Sequence, residues 1–419
     1  MLQRGLTFMR RTLAYASKLK MSSFEDNIHL FRHPQGDKKQ PLPRVTLGAV
    51  NKDGSFHYTK TFGEDAFESL ATDGVHFLAS STKLVTTIAV MQCVEKGLLN
   101  LDAEVSDILP ELKSLQILTG FDEQDKPTFR DSTKAITLRH LLTHSSGLTY
   151  LHMEPLLTRY DQLPEVEPRR RETLIEKFYT ILVSEPGDRW LYSPGIDWAG
   201  VMVERVTSMR LGDYMKRHIF DVVSVKDATF QLQEREDLRE RMVNTWERVG
   251  EELRITKCPA ADPVTDDLGG GGLYSTMPEL LKIYHGLLSE KLLARETIDL
   301  MFQSHLHDAP GLQSQDEYSE SYRNAIYNSI PSTTPVSFGL GGIINLSPIP
   351  NRRSENSLSW TGMPNIYWWI DLKKGIAGAY LSQLLPSGDQ QSTDLFSAFE
   401  EYVYSRVAQS AGDQNLKDF

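Results

Sequence analysis

The stretch Phe77-Leu-Ala-Ser80-Ser81-Thr82-Lys83-Leu-Val-Thr-Thr-Ile-Ala-Val90 constrains this chain more than any other. Beyond Lys83 the residues Leu84, Val85, Ile88, Ala89, Cys93 and Val94 are apolar, with few polar breaks until Glu95-Lys96-Gly97. This pattern predicts a helix buried nearly all round and closed by a glycine at its C-terminus. The rest of the fold must therefore wrap around it. A lysine carried into such a helix is costly unless it has a partner or a task.

Ser80 precedes Lys83 by three residues, and positions i and i+3 share a helix face about one turn apart. The serine hydroxyl and the lysine amine can meet without help from the tertiary fold. A serine is a weak nucleophile until a base takes its proton, and a desolvated lysine can be neutral enough to do so. The competing reading is that Ser80 merely caps the helix. Only chemistry supplied by distant parts of the chain separates the two.

The chain has 419 residues, enough for a large core, and its 40% hydrophobic and 24% charged content is ordinary for a globular protein. A net charge of −11 leaves no basic excess to neutralise phosphates, which argues against nucleic acid as a partner. Two cysteines, Cys93 and Cys258, make no disulfide framework, and Cys93 reads as a reduced core thiol. His140 and His144 stand at i and i+4, but no third ligand of matching type lies near them. Packing and turn hydrogen bonds explain them better than a metal, and no cofactor is implied.

Residues 1–25 form a basic extension, with Arg4, Arg10, Arg11, Lys18 and Lys20 interleaved with Leu2, Leu6, Phe8, Met9 and Leu13. Its apolar residues are too interrupted for a secretory segment or a membrane span. A cytoplasmic location is the default expectation, with mitochondrial targeting by this basic N-terminus as the alternative.

Residues 44–63 read as two strands around an Asp53-Gly54 turn. Leu101–Pro110 reads as helical, residues 137–148 as a capped helix ending in a serine-glycine turn, and 150–172 as a surface loop. Residues 173–240 are helical in pattern, interrupted by Glu185 to Gly195, and 241–266 carry no strong signal. Four glycines, Gly269 to Gly272, precede a helix opened by Pro278-Glu279 and capped by Ser275 or Thr276. No Gly-Lys-Ser/Thr follows, so close backbone packing beside a cleft is expected rather than a phosphate loop. Residues 305–335 are a polar insertion. Strands follow at 337–345, 357–371 and 375–382, and an amphipathic helix at 395–407.

Strands at both ends with helices between them predict an α+β fold, in which one antiparallel sheet is completed by both termini. The expected organisation is one catalytic domain over 26–410, with an α/β part (26–100 and 270–410), an inserted, mostly helical part (101–269), and a tail at 411–419.

Four stretches occur in one order: Ser80-x-x-Lys83, His140-Leu-Leu-Thr-His-Ser-Ser-Gly147, Tyr192-Ser-Pro-Gly195 and Trp360-Thr-Gly-Met-Pro-Asn365. Together they resemble the serine β-lactamase-related family in its class C and esterase branch, and within it the fungal transesterases of secondary metabolism. The resemblance spans roughly residues 40–408 and implies the β-lactamase/transpeptidase-like fold. It implies Ser80 as nucleophile, Lys83 as proton relay and Tyr192 as base, a phenol whose acidity is raised by the neighbouring lysine. Taken alone, Tyr192 reads better as a core tyrosine beside Trp190; the company of Ser80 and Lys83 reverses that preference. The implied oxyanion hole uses the backbone N–H groups of Ser80 and Met363.

Two departures from the family pattern bear on substrate. Trp360 stands where β-lactamases carry the lysine of a Lys-Thr-Gly strand, and Pro194 stands where the tyrosine motif ends in asparagine. Both remove polar recognition of a penicillin-like substrate and leave the acyl-transfer machinery in place. A more apolar ester or thioester is expected, bound along Trp360, Thr361 and Gly362, with Tyr150, Tyr274 and Trp368 as further walls. The resemblance implies a serine acyltransferase passing an acyl group to a small-molecule alcohol, with an acyl carrier protein or coenzyme A as donor. The alternatives are a carboxylesterase or lactone hydrolase with the same machinery, and a binder that no longer acylates.

Overall fold

The computed structural model describes residues 24, 25, 28, 41–63, 71–166, 173–306, 308, 310–313 and 319–415, with side chains to 409. The basic extension expected at 1–25 lies outside these residues except for Phe24 and Glu25, as does part of the loop expected at 150–172. Among the described residues no helix is long and apolar enough to cross a membrane.

A seven-stranded antiparallel sheet is built from β1 (Val45–Asn51), β2 (His57–Phe62), β3 (Val336–Phe338), β4 (Ile343–Asn345), β5 (Leu358–Gly362), β6 (Ile366–Asp371) and β7 (Ile376–Leu381), in the order β3-β4-β5-β6-β7-β1-β2. The first strand of the chain thus pairs with the last of these, Leu47 opposite Tyr380. The α+β class and the sheet closed by both termini are as expected.

Both faces of the sheet are covered, which is why β1 is buried at every position. Alternation sorts its side chains: Val45, Leu47 and Ala49 join Tyr367, Trp369 and Tyr380 on one face, while Val50 joins Trp368, Ala377 and Ala379 on the other. The first face packs on Leu395, Phe396, Phe399 and Val403 of the C-terminal helix. The second packs on Met277, Leu281 and Tyr284 and merges with the main core.

The helices that position the site are α1 (Thr82–Glu95), α2 (Leu138–Leu142), α3 (Gly195–Thr207) and α4 (Met277–Leu288). Glu320–Tyr327 (α5) lies within the polar insertion, and Gln390–Asn415 (α6) closes the chain. In α1 every residue from Thr82 to Cys93 is buried, Lys83 included, as the apolar run requires. Arg353 fastens α6 to the sheet: its Nε donates to Glu400 Oε1 at 2.5 Å and one terminal nitrogen to Ser359 Oγ of β5 at 2.8 Å.

Four local expectations are corrected. Residues 337–345 form a hairpin rather than one strand, because Gly341 at φ +85° turns the chain. Residues 357–371 likewise split into β5 and β6, with Asn365 at φ +53° in the turn. The inserted part, expected to be mostly helical, also holds two strand pairs: Gln116–Phe121 with Pro127–Asp131, and Thr245–Val249 with Glu252–Thr256. At 101–110 the helix is reduced to 3-10 turns, Val105–Asp107 and the start of Pro110–Leu112. Thr276 does occupy the N-cap of α4, but its side chain makes no capping bond.

Candidate active site

The start of α1 is held in place by backbone. Leu78 N–H donates to Leu273 O at 2.9 Å and Leu273 N–H to Thr82 Oγ1 at 3.1 Å, so the glycine-rich segment is laced to the serine segment. Ala79 has φ +44°, a left-handed conformation that a residue with a Cβ adopts at a cost of order 1–3 kcal/mol. That strained residue sets the direction of Ser80, which lies on the short 3-10 turn Ala79–Ser81 leading into α1.

Tyr192 is fixed from both sides by the histidine motif. Leu191 N–H donates to His144 O at 2.8 Å, and Ser193 N–H donates to His144 Nδ1 at 3.3 Å. Tyr150 N–H donates to Tyr192 O at 3.3 Å. The ring of Tyr192 is enclosed by His144 (4.8 Å between centroids), Tyr150 (5.1 Å), Trp360 (5.3 Å) and Trp190 (6.3 Å). His144 is fully buried, and burial together with the Lys83 charge pushes its pKa well below the ordinary histidine value. It is a neutral scaffold. His140 has a different task, accepting the Thr137 N–H at the start of α2.

The three tips meet. Tyr192 O–H donates to Ser80 Oγ at 2.5 Å, and Lys83 Nζ donates to Ser80 Oγ at 3.3 Å. Lys83 also donates to Gly270 O at 2.6 Å and to Tyr150 Oη at 3.2 Å, so three acceptors match the three hydrogens of an ammonium. Its Nζ stands 4.8 Å from the Tyr192 ring centroid. Lys83 is wholly buried while Ser80 and Tyr192 are partly exposed, so the serine and the phenol face the outside and the amine does not.

The late strand closes the other side. A Cβ on Gly362 would lie 2.4 Å from Leu78 O, so only glycine lets the end of β5 press against the serine turn. Met363 follows with its side chain 41% exposed and its carbonyl accepting from Ser387 Oγ at 2.7 Å.

The expected walls fare differently. Trp360 is fully buried and supports the Tyr192 ring rather than presenting a face to solvent. Thr361 is nearly buried beside it. Trp368 lies in the core against Tyr284, and Tyr274 packs on Phe77; neither is exposed. Tyr150 is half-buried, and its hydroxyl is committed to Lys83 and Asp197. The sequence reading did not find Asp197, the Gly270 carbonyl or the scaffold role of His144. The i, i+5 spacing of Tyr192 and Asp197 at the head of a helix was the one available signal.

This fold and its serine-centred cluster define an enzyme that transfers or cleaves acyl groups through serine. The chain belongs to the beta-lactamase family, whose profile matches residues 45–400. It is 34% identical over 389 residues to monacolin J acid methylbutanoyltransferase of Aspergillus terreus, covering 89% of this chain and 94% of that protein. It is also 34% identical over 387 residues to the lovastatin esterase of Penicillium rubens, covering 87% and 95%. A simvastatin synthase structure from Aspergillus terreus, the LovD9 mutant, superposes with a TM-score of 0.82 at 34% identity over 92% of this chain and 98% of that one.

Proposed function

We propose that the chain is a serine acyltransferase that loads an acyl group onto Ser80 and passes it to the hydroxyl of a small molecule of secondary metabolism. The observation that carries this is the placement of Ser80 Oγ within 2.5 Å of the Tyr192 phenol and 3.3 Å of the Lys83 amine. In this scheme the Tyr192 oxygen is the base, and the Lys83 amine stands beside it, 4.8 Å from the ring centroid.

In the first half-reaction Ser80 Oγ attacks the donor carbonyl as its proton passes to the Tyr192 oxygen. The oxyanion forms between the backbone N–H groups of Ser80 and Met363, where strand end and serine turn are pressed together. Collapse breaks the bond to the leaving alkoxide or thiolate, which takes the proton from Tyr192. In the second half-reaction Tyr192 takes the acceptor alcohol's proton, the alkoxide attacks the acyl-Ser80 carbonyl, and Ser80 recovers the proton. The donor is an ester or a thioester, with an acyl carrier protein or coenzyme A as the thioester source. Methylbutanoyl is the first acyl group to test, since two relatives at 34% identity are named for its transfer.

Water in place of the alcohol would make the same chain a hydrolase, a reading favoured by its likeness to the lovastatin esterase. Turnover of a methylbutanoyl coenzyme A thioester with and without statin-like polyketide alcohols separates the two. Acylated alcohol is the expected product; free acid alone, at a rate indifferent to alcohol, overturns the transferase assignment.

A further inference from the structure

Behind the Ser80–Lys83–Tyr192 cluster lies a carboxylate to which the acyl-transfer scheme gives no part. Asp197, in the first turn of α3, is 2% exposed. Its Oδ1 accepts the Gly270 N–H at 2.9 Å and its Oδ2 accepts the Tyr150 O–H at 3.2 Å. These two groups are also the ones that hold Lys83 from behind, through the Gly270 carbonyl at 2.6 Å and the Tyr150 oxygen at 3.2 Å. The carboxylate therefore grips, at one remove, both partners of the ammonium other than Ser80. The fit is close: a Cβ on Gly270 would lie 2.1 Å from Asp197 Oδ2.

We infer that Asp197 is a positioning residue for acyl transfer, acting through Tyr150 and Gly270 to fix Lys83 Nζ beside Ser80 and to balance its charge. The inference rests on the acyl-enzyme reading of Ser80 and adds to it a fourth and a fifth side chain.

The direction of the Tyr150 relay is set by its surroundings. Burial and the Asp197 charge hold the Tyr150 phenol well above its ordinary pKa, so it keeps its proton, donates it to Asp197 and offers its oxygen to Lys83. Asp197 faces Lys83 from α1, Lys177 from the helix Leu174–Lys177, and Tyr150 from the loop after α2, with Tyr192 just beyond Tyr150. Burial raises the Asp197 carboxyl, and Lys83 is the foremost of the groups that pull it back down. A carboxylate that only capped α3 would place no charge requirement on Lys83.

The test compares wild type with Asp197→Asn and Tyr150→Phe in the full chain. Asp197→Asn keeps the size and an acceptor for the Gly270 N–H but removes the charge. Tyr150→Phe removes the relay and leaves Asp197 and Gly270 in place, so it decides the matter should the asparagine variant fail to fold. The readouts are the rate of Ser80 labelling by a fluorophosphonate and the pH profile of kcat/KM on a p-nitrophenyl ester. Each variant should lose about tenfold or more in kcat with a smaller change in KM. In Asp197→Asn the pH profile should shift from that of wild type, whereas a merely structural role for the carboxylate would leave it in place. Labelling and a pH profile unchanged in both variants, with wild-type Ser80 labelled normally, overturn the inference alone. A wild-type Ser80 that takes no label overturns the acyl-enzyme reading and this inference with it.

Discussion

Replacing Tyr192 with phenylalanine removes one oxygen and little else. The deleted atom lies 2.5 Å from Ser80 Oγ, whereas the ring contacts to His144, Trp190 and Trp360 all survive. If that oxygen is the base, its loss should cost a factor of about 100 to 10,000 in kcat, or about 3 to 5 kcal/mol of barrier. Lys83 remains 3.3 Å from Ser80 Oγ, but its bonds to the Gly270 carbonyl and the Tyr150 oxygen direct its hydrogens elsewhere, so it replaces the phenol poorly. The effect on stability should be one net hydrogen bond, about 1 kcal/mol. The two magnitudes differ enough that inactivation cannot be mistaken for unfolding. The assay is steady-state hydrolysis of a p-nitrophenyl ester beside a thermal melt of the same sample. A Tyr192→Phe enzyme retaining more than a tenth of wild-type kcat would refute the assignment of the base.

Two further outcomes follow from groups away from the serine. Arg353→Met should destabilise the fold by about 3–5 kcal/mol, because Glu400 is left fully buried with its principal cation removed. Arg353→Met combined with Glu400→Leu should cost less than Arg353→Met alone; a urea-denaturation series in which the double variant is the weaker would contradict this. His76 is fully buried with its Nδ1 donating to Gly74 O at 2.9 Å, and burial pushes its pKa down to about 3. It is neutral when folded and takes a proton on unfolding below its ordinary value near ~6.5. Its contribution is therefore complete above that pH and is lost as the pH falls toward 3. Between pH 7 and 5 the loss should be about 2 kcal/mol, read from urea midpoints. His76→Asn, which keeps a donor for Gly74, should show a flatter dependence; an unchanged slope would remove His76 as the cause.

The parts of the site legible in the sequence were those carried by local geometry. Ser80 and Lys83 share a helix face whatever surrounds them, and the apolar run after them had to be central. The two terminal sets of strands announced one sheet because they flank a helical middle, although the turns at Gly341 and at Met363–Asn365 were read through as continuous strand. These turns rest on residues at positive φ, and the Gly341-Gly342 and Pro364-Asn365 pairs were turn signals overridden by the apolar residues on either side. Tyr192 came from resemblance, since nothing local distinguishes it from a core tyrosine. Asp197 and Gly270 were hidden for a related reason. Their meeting joins α3 to the glycine segment 73 positions away, and only the folded chain brings a backbone carbonyl and a carboxylate to one lysine. Tyr150, Tyr274, Trp360 and Trp368 were expected as walls on account of their size. Burial instead made Trp368 and Tyr274 core, Trp360 a support for Tyr192, and the Tyr150 hydroxyl a partner of Lys83.

The decisive measurement is the mass of the intact chain quenched within seconds of mixing with a p-nitrophenyl ester, followed by peptide mapping. The account predicts a gain of one acyl group per chain, located on Ser80 and absent from Ser80→Ala. Turnover persisting in Ser80→Ala, or an acyl group found on another residue, would contradict it.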